Sequence, residues 1–223
     1  MISAVLSDAL AIYRRLFRRS VLVAGAVFTV VGLASALADR SGRTGAILVS
    51  LVLSLVGGLL VQGALVEAVR DLHEGRPLAA VRAYTDRSRG RLGTLVGASL
   101  LYGLGVAVGL LAFVVPGLIL VARWALVVPL VMIEGRSVRE SFGRSSQLVT
   151  GQTGRVLALV VVANVITGVG GIVITEIFRF LPPFGATWVG TAVAGALTVP
   201  YEAQVLTVLY YRLTEPGRPV LPA

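Results

Sequence analysis

Six long apolar segments constrain the fold of this chain more than any other feature. They lie at about 20–38, 45–66, 92–115, 117–133, 153–178 and 184–211. A helix needs roughly 20 apolar residues to cross the hydrocarbon core of a bilayer, and these segments fall in or close to that range. Because backbone polar groups find no water in lipid, such segments form helices. The sequence therefore predicts an all-α, polytopic integral membrane protein with six transmembrane helices.

The composition agrees with a membrane location. Hydrophobic residues make up 56% of the chain and charged residues 14%, whereas soluble domains carry about 25% charged residues. The polar segments between the spans are too short to form a separate soluble core. We therefore expect one membrane domain over residues 1–213, followed by a short cytoplasmic tail over 214–223. The chain has no cysteine, which excludes disulfides and thiolate metal sites.

The arginines indicate which side of the membrane each loop faces. All 20 basic residues are arginine, and most lie before the first span, between spans two and three, between spans four and five, or after span six. Because positively charged loops stay in the cytoplasm, this predicts a protein of the bacterial inner membrane with both termini cytoplasmic. The alternative for the first span is a signal peptide cleaved near Ala36 and Ala38, although about 20 residues precede its apolar run.

Three amphipathic segments, residues 1–19, 77–91 and 137–150, each precede a pair of spans. In the first, a helical wheel separates the apolar residues from the arginines without mixing. The other two show the same separation less completely, and Ser137 with Glu140 predicts a capping box in the third. Such helices lie in the membrane interface with their arginines toward anionic headgroups. The arginines with this predicted role are Arg14, Arg15, Arg18, Arg19, Arg87, Arg91 and Arg144.

The layout divides the chain into three similar units, at about 1–69, 70–135 and 136–213. Each unit is an amphipathic helix followed by a hairpin of two spans. The similarity is one of layout and not of residue identity, and any polytopic protein with short cytoplasmic loops can share it. Pro116–Gly117 predicts a tight turn between spans three and four. Glycines spaced four residues apart inside the spans, such as Gly105 and Gly109, are typical of close helix–helix contacts.

Arg123 lies inside the fourth span, where a charge costs about 2.5–3.5 kcal/mol on insertion scales and normally faces a partner. Counted from the inner ends of their spans, Arg123 and Glu202 lie at similar depths. We expect these two residues to form a buried ion pair, with Gln62, Asn164 and Gln204 completing a polar network. Two interpretations remain open: the pair fixes the packing of spans four and six, or it binds an anionic headgroup or solute.

Patterns typical of catalysis are missing from the sequence. The one histidine, His73, lies beside Asp71 and Glu74 and is expected to be solvated. No cluster has metal-ligand spacing, and a phosphate-binding loop with lysine is excluded because lysine is absent. The net charge of +9 is carried by arginines that the topology already requires, so no nucleic-acid partner is expected. We predict no catalytic residue, no metal and no cofactor.

Two stretches of the chain carry a family resemblance. The positions are Pro116–Gly117, Arg123–Trp124, Pro129, Glu134–Gly135, Arg144–Ser145, Leu148 to Gly151 and, in the last span and beyond, Pro200, Tyr210, Tyr211, Arg212 and Glu215. They resemble bacterial six-span proteins identified as the membrane domain of glycerophosphoryl diester phosphodiesterase, with related membrane families of unknown function. The resemblance implies a membrane module and not hydrolysis, because the family's phosphodiesterase chemistry belongs to a separate soluble barrel.

These observations favour a non-enzymatic module of the inner membrane that engages lipids or a protein partner, which includes a second copy of the chain. The alternative is a small transporter for an amphipathic or anionic solute near Arg123 and Glu202. Pro129 and Pro200 each remove a backbone donor from one of these two spans, and broken helices build substrate sites in transporters. An open polar cavity reaching Arg123 would favour the transporter, and a closed, fully paired site would favour the module.

Overall fold

The computed structural model describes residues 2–79, 81–216 and 220, apart from the side chains of residues 81 and 82, and all of its secondary structure is helical. The helices are α1 (Ile2–Ser41), α2 (Thr44–His73), α3 (Val81–Gly90), α4 (Leu92–Ala112), α5 (Val114–Arg123), α6 (Val127–Pro129) with a π-helical turn (Leu130–Glu134), α7 (Val138–Val149), α8 (Thr153–Ile177) with a 3₁₀ turn (Phe178–Phe180), and α9 (Pro183–Thr214). Six helical segments in this part of the chain are long and apolar enough to cross a membrane, which confirms the predicted all-α class.

The first and last spans pack against each other in opposite directions. Near one end Arg212 donates to the carboxylate of Asp8 at 2.6 Å. Farther along, Gln204 donates to the hydroxyl of Ser20 at 3.3 Å, and toward the other end the indole of Trp188 donates to an α1 carbonyl at 3.1 Å. Residue numbers rise along one helix as they fall along the other. The antiparallel pair therefore brings the beginning of α1 and the end of α9 to the same end of the molecule.

Glycines let the spans approach closely. A Cβ atom on Gly32 of α1 would lie 2.5 Å from the backbone oxygen of Trp188 in α9. A Cβ atom on Gly105 would run into the ring of Trp124, so the glycine of α4 makes room for the next span. These contacts confirm the predicted packing role of glycine in the spans, since small residues allow helix backbones to come together in lipid.

The first predicted amphipathic helix is not a separate element. Residues 2–41 form one continuous helix, because no proline or turn sequence separates the amphipathic part from the span. Val5, Ala9, Ile12 and Leu16 are at most 1% exposed. The centre of the apolar face of this part of α1 therefore packs inside the protein, whereas Leu10 and Phe17 at its edge are 41% and 42% exposed.

The other two amphipathic segments also turn their apolar faces into the protein. Tyr84 of α3 is 2% exposed, and Phe142 and Val149 of α7 are 8% and 0% exposed. The predicted capping box of α7 is confirmed, with the carboxylate of Glu140 accepting the backbone amide of Ser137 at 3.0 Å. The hydroxyl of the same serine donates to this carboxylate and lowers the pKa of Glu140.

The turn between α4 and α5 lies at Phe113 and not at Pro116–Gly117. Phe113 has extended backbone, with φ −160° and ψ 144°, and separates the two helices. Pro116 falls in the first turn of α5, where a missing N–H breaks no intrahelical bond. Gly117 serves helix packing instead, because a Cβ atom there would lie 2.7 Å from the backbone nitrogen of Leu110.

Val220, near the end of the chain, packs against His73 of α2. His73 is 5% exposed, and its Nδ1 lies 2.9 Å from the carbonyl oxygen of Val220, which is itself 2% exposed. The prediction that His73 is solvated is therefore wrong, because a residue far along the chain covers it. The rest of the predicted tail beyond residue 216 lies outside the described residues.

The glycine contact between α1 and α9 gives a stability prediction. We expect Gly32→Ala to lower the free energy of unfolding by about 1–3 kcal/mol, because the new methyl group meets a backbone oxygen that cannot move alone. Gly58→Ala is the matched control, since a Cβ atom there meets nothing within 4 Å and alanine favours the helix. Thermal unfolding in detergent measures both; an equal change in Tm for the two variants would contradict the prediction.

Candidate functional site: an intramembrane cavity

A cavity of about 310 Å³ lies among α2, α4, the α5–α6 segment, α8 and α9. Its polar lining residues come from four helices and are Gln62, Ser99, Tyr102, Asn164 and Glu202. The other lining residues, apart from Trp124, are aliphatic side chains of the same helices. A mostly apolar lining with a few convergent polar groups is typical of sites for small molecules.

Glu202 gives the cavity its charge. Of the described residues that line the cavity, it is the acidic one, and none is basic. Its side chain is half-buried, and no hydrogen bond or ion pair reaches its carboxylate from the described part of the chain. An ionisable group at membrane depth is costly and normally faces a partner or an aqueous path. The arrangement is therefore suited to binding a cation or a hydrogen-bond donor.

The predicted ion pair between Arg123 and Glu202 is wrong for the described structure. Arg123 is exposed and does not line the cavity, whereas Glu202 does. The reason lies in the fourth span, where α5 ends at Arg123 and the chain turns at residues 124–126 before α6 begins. The prediction compared depths by counting residues along a continuous helix. Because the helix is broken after Arg123, this count did not show that Arg123 lies outside the cavity.

The other three members of the predicted network also separate, and Gln62 is one of the two that line the cavity. Asn164 lines the cavity, and its side-chain amide donates to the carbonyl of Val160 on its own helix at 2.9 Å. Gln204 is fully buried between α9 and α1 instead, away from the cavity lining. Sequence reasoning missed Ser99 and Tyr102, which share one face of α4. The sequence could have identified these two residues, because polar side chains within an apolar span are uncommon.

The break in the fourth span is closed by a side chain from α7. The hydroxyl of Ser145 donates to the carbonyl of Arg123 at 2.7 Å and accepts the backbone amide of Leu126 at 3.2 Å. Ser145 is fully buried. One hydroxyl therefore satisfies two backbone groups that the broken helix leaves open, which matters because unpaired backbone groups cost several kcal/mol in lipid.

The two prolines behave differently from each other. Pro129 lies after the break, at the end of α6 and immediately before the π-helical turn of the fourth span. Pro200 is buried inside α9, and α9 continues through it from Pro183 to Thr214. The sequence predicted an interruption in both the fourth and the sixth span. Of these two, only the fourth is discontinuous.

A family model for a domain of unknown function, DUF7847, matches residues 78–214, more than half of the chain. This protein belongs to the DUF7847 family. The matched region holds the break at residues 124–126, Ser145 and Glu202, while α1 and α2 precede it. No curated protein and no solved structure matches the chain. The resemblance to the phosphodiesterase membrane domain stays a prediction.

The arginines predicted to contact headgroups fall into two groups in this DUF7847 member. Those of α1 are exposed, namely Arg14, Arg15, Arg18 and Arg19. The others face carboxylates of the protein: Arg87 and Arg91 lie 3.5 and 3.8 Å from Glu67, and Arg144 lies 3.8 Å from Glu134. The helical wheel did not distinguish the two groups, because it shows only which residues share a face.

The serine that closes the break gives a second prediction. Ser145→Ala leaves the carbonyl of Arg123 and the amide of Leu126 without this partner, so we expect it to lower the free energy of unfolding by about 1–3 kcal/mol. Ser146→Ala is the control, because the neighbouring hydroxyl is only half-buried and makes no described bond. Thermal unfolding in detergent compares the two; similar losses would rule out a special role for Ser145.

Proposed function

We propose that this protein is a non-enzymatic, multi-pass protein of the bacterial inner membrane that binds a small amphipathic molecule in the cavity at Glu202. The polar end of the ligand carries a positive charge or hydrogen-bond donors, and its apolar part contacts the aliphatic lining. The observation that carries the proposal is an acidic side chain at membrane depth without a described ion-pair partner, facing a cavity of about 310 Å³. Ionisable groups inside membranes commonly mark ligand or ion sites.

The absence of Arg123 from the described lining changes the expected ligand. A site with Arg123 would have favoured an anionic solute, but the carboxylate of Glu202 repels anions when it is ionised. The volume lies at the lower end of the range for small-molecule sites, which is about 300–1,000 Å³. A single alkyl chain with an amine or hydroxyl end fits both the size and the charge.

Transport of the same molecule is a second candidate function. Trp124 and Ala125, which belong to the break in the fourth span, also line the cavity. Discontinuous helices at substrate sites recur in transporters, where the irregular backbone lines the cavity. Uptake of a labelled alkylamine into proteoliposomes separates the two functions, because a binding module holds the ligand without moving it across the bilayer.

The orientation belongs to the same proposal. Both termini lie in the cytoplasm, and the three units each place an arginine-bearing helix at the inner face. The contact of Arg212 with Asp8 supports the placement of both termini on the same side of the membrane. The bias of arginines toward alternate loops supports the cytoplasm as that side.

Because the chain lacks cysteine, single cysteines test the orientation without background labelling. We expect Ser41→Cys, at the last residue of α1, to react with a membrane-impermeant maleimide in intact spheroplasts. Thr150→Cys, between α7 and α8, is expected to react only after permeabilisation. Both positions are exposed in the structure. Labelling of Thr150→Cys in intact spheroplasts would reverse the proposed orientation.

The ligand proposal is tested by fluorescence of Trp124. The chain has two tryptophans, so Trp188→Phe leaves one reporter at the cavity. In this background we expect dodecylamine to produce a saturable change in emission and dodecanoate to produce none. Glu202→Gln should weaken dodecylamine binding at least about tenfold, which corresponds to about 1.4 kcal/mol.

Glu176→Gln is the matched control for this experiment, since Glu176 is exposed, pairs with Arg179 at 3.0 Å and does not line the cavity. It should bind dodecylamine with the affinity of the Trp188→Phe parent. Equal affinities for the Glu202→Gln and Glu176→Gln variants would disprove the proposed role of Glu202.

A further inference from the structure

A second cavity, of about 420 Å³, lies where the end of α2, the following segment, α3 and the start of α4 meet. Four arginines line it together with Glu67 and Gly90, namely Arg70, Arg76, Arg87 and Arg91. We call this cavity the arginine bowl. The four guanidinium groups all come from residues 70–91, and the turns before and after α3 bring them to one cavity.

Buried carboxylates hold these arginines in place. Glu67 and Asp71 are each 4% exposed. Glu67 lies 3.5 Å from Arg87, 3.8 Å from Arg91 and 3.9 Å from Arg70. A carboxylate that contacts three guanidinium groups at once fixes their positions relative to one another, which reduces the entropy that a ligand must remove on binding.

Asp71 extends the support on the other side of the bowl. Its carboxylate lies 3.3 Å from Arg76 and 3.8 Å from Arg87, and it accepts the hydroxyl of Tyr84 at 2.9 Å. The same hydroxyl accepts the backbone amide of Ala79 at 2.8 Å. Burial, with this bond to Asp71, raises the pKa of Tyr84, so the tyrosine stays a neutral donor.

The arginines themselves remain accessible. The side chains of Arg76 and Arg87 are each 49% exposed, that of Arg91 is 38% exposed and that of Arg70 is 29% exposed, whereas the side chain of Glu67 is 6% exposed. A guanidinium group has five N–H donors, and the carboxylates contact only part of each set. One nitrogen of Arg91 also donates to the carbonyls of Val131 and Met132, so Arg76 and Arg87 offer the more accessible donors. The accessible N–H groups have the fork geometry that matches the oxygens of a phosphate.

The local charge also favours an anion. The four arginines of the bowl face the carboxylates of Glu67, Asp71 and Glu74, the last of which is 36% exposed at the rim and contacts Arg70 at 2.9 Å. These seven described side chains together carry a net charge of +1 when all are ionised. We infer that the arginine bowl binds a phosphate group, carried either by a membrane lipid or by a soluble phosphate.

The bowl and the cavity at Glu202 are distinct sites. Leu95, Ala98 and Tyr102 share one face of α4 because they follow each other at helical spacing, and Arg91 immediately precedes the helix. Arg91 lines the bowl, and Ala98 and Tyr102 line the other cavity. Leu95, which lies between them, is fully buried. The phosphate proposal therefore does not depend on the proposed ligand of Glu202.

Calorimetry on the purified full chain in a non-ionic detergent tests the proposal with three probes: inorganic phosphate, dioctanoyl phosphatidylglycerol, and dioctanoylglycerol as the lipid without phosphate. We expect saturable binding of the phospholipid that is at least about tenfold tighter than that of dioctanoylglycerol. Binding of inorganic phosphate as well would identify a site open to soluble phosphates, and binding of the phospholipid alone would identify a headgroup site. Equal binding of the two lipids, with no binding of inorganic phosphate, would overturn the inference.

Matched variants separate the bowl from a general effect of charge. Arg76→Gln removes an exposed arginine of the bowl and is expected to weaken phospholipid binding at least about tenfold. Arg89→Gln removes the same charge from α3 outside the bowl, where Arg89 is 65% exposed and contacts Asp86 at 3.7 Å, and should leave binding unchanged. Equal losses in the two variants would refute the site, provided that both melt at the parent temperature.

If Arg76→Gln lowers the melting temperature, the comparison of the phospholipid with dioctanoylglycerol on the parent protein still decides the question. Glu202→Gln should leave phospholipid binding unchanged. A failure to detect phospholipid binding therefore leaves the alkylamine result at Glu202 unaffected. The two proposals are tested independently of each other.

Discussion

The close contact between α1 and α9 is the interaction on which the arrangement of the other helices depends. It joins the two ends of the chain into one antiparallel pair, with Gly32 against the backbone of Trp188 and Arg212 against Asp8. With α1 on one side, α9 packs against α8 and α2 elsewhere on its surface. Glu202 lies on this helix and faces the cavity that those neighbours enclose. Loss of the contact would therefore disturb the cavity as well as the closure of the bundle.

Sequence length and polarity were enough to predict six apolar helices, because lipid forces the backbone of each span to bond internally. The break at residues 124–126 was not predictable in the same way. Proline is the usual signal for a break, and Pro129 lies beyond it. What stabilises the break is Ser145, which comes 22 positions after Arg123. The wrong pairing of Arg123 follows from this, because counting residues along a span gives depth only while the helix is straight.

Amphipathic patterns show which residues share a face of a helix but not what that face contacts. Ile12 and Tyr84 both lie on predicted apolar faces, and both are buried in the protein. A helical wheel gives the direction of each side chain around the helix axis and no information about neighbouring helices. It therefore cannot distinguish a face that contacts lipid from one that contacts protein. His73 illustrates the same limit, since the residue that covers it, Val220, is 147 positions away. Contacts of this range depend on the whole fold.

The length of α1 has a consequence at the membrane surface. Its 40 residues extend for about 60 Å at 1.5 Å per residue, roughly twice the thickness of the hydrocarbon core, and the 32 residues of α9 also exceed that thickness. The two helices pack side by side along their length, so the pair they form is longer than the hydrocarbon core is thick. Part of this pair therefore lies outside the lipid, where its polar side chains meet headgroups or water.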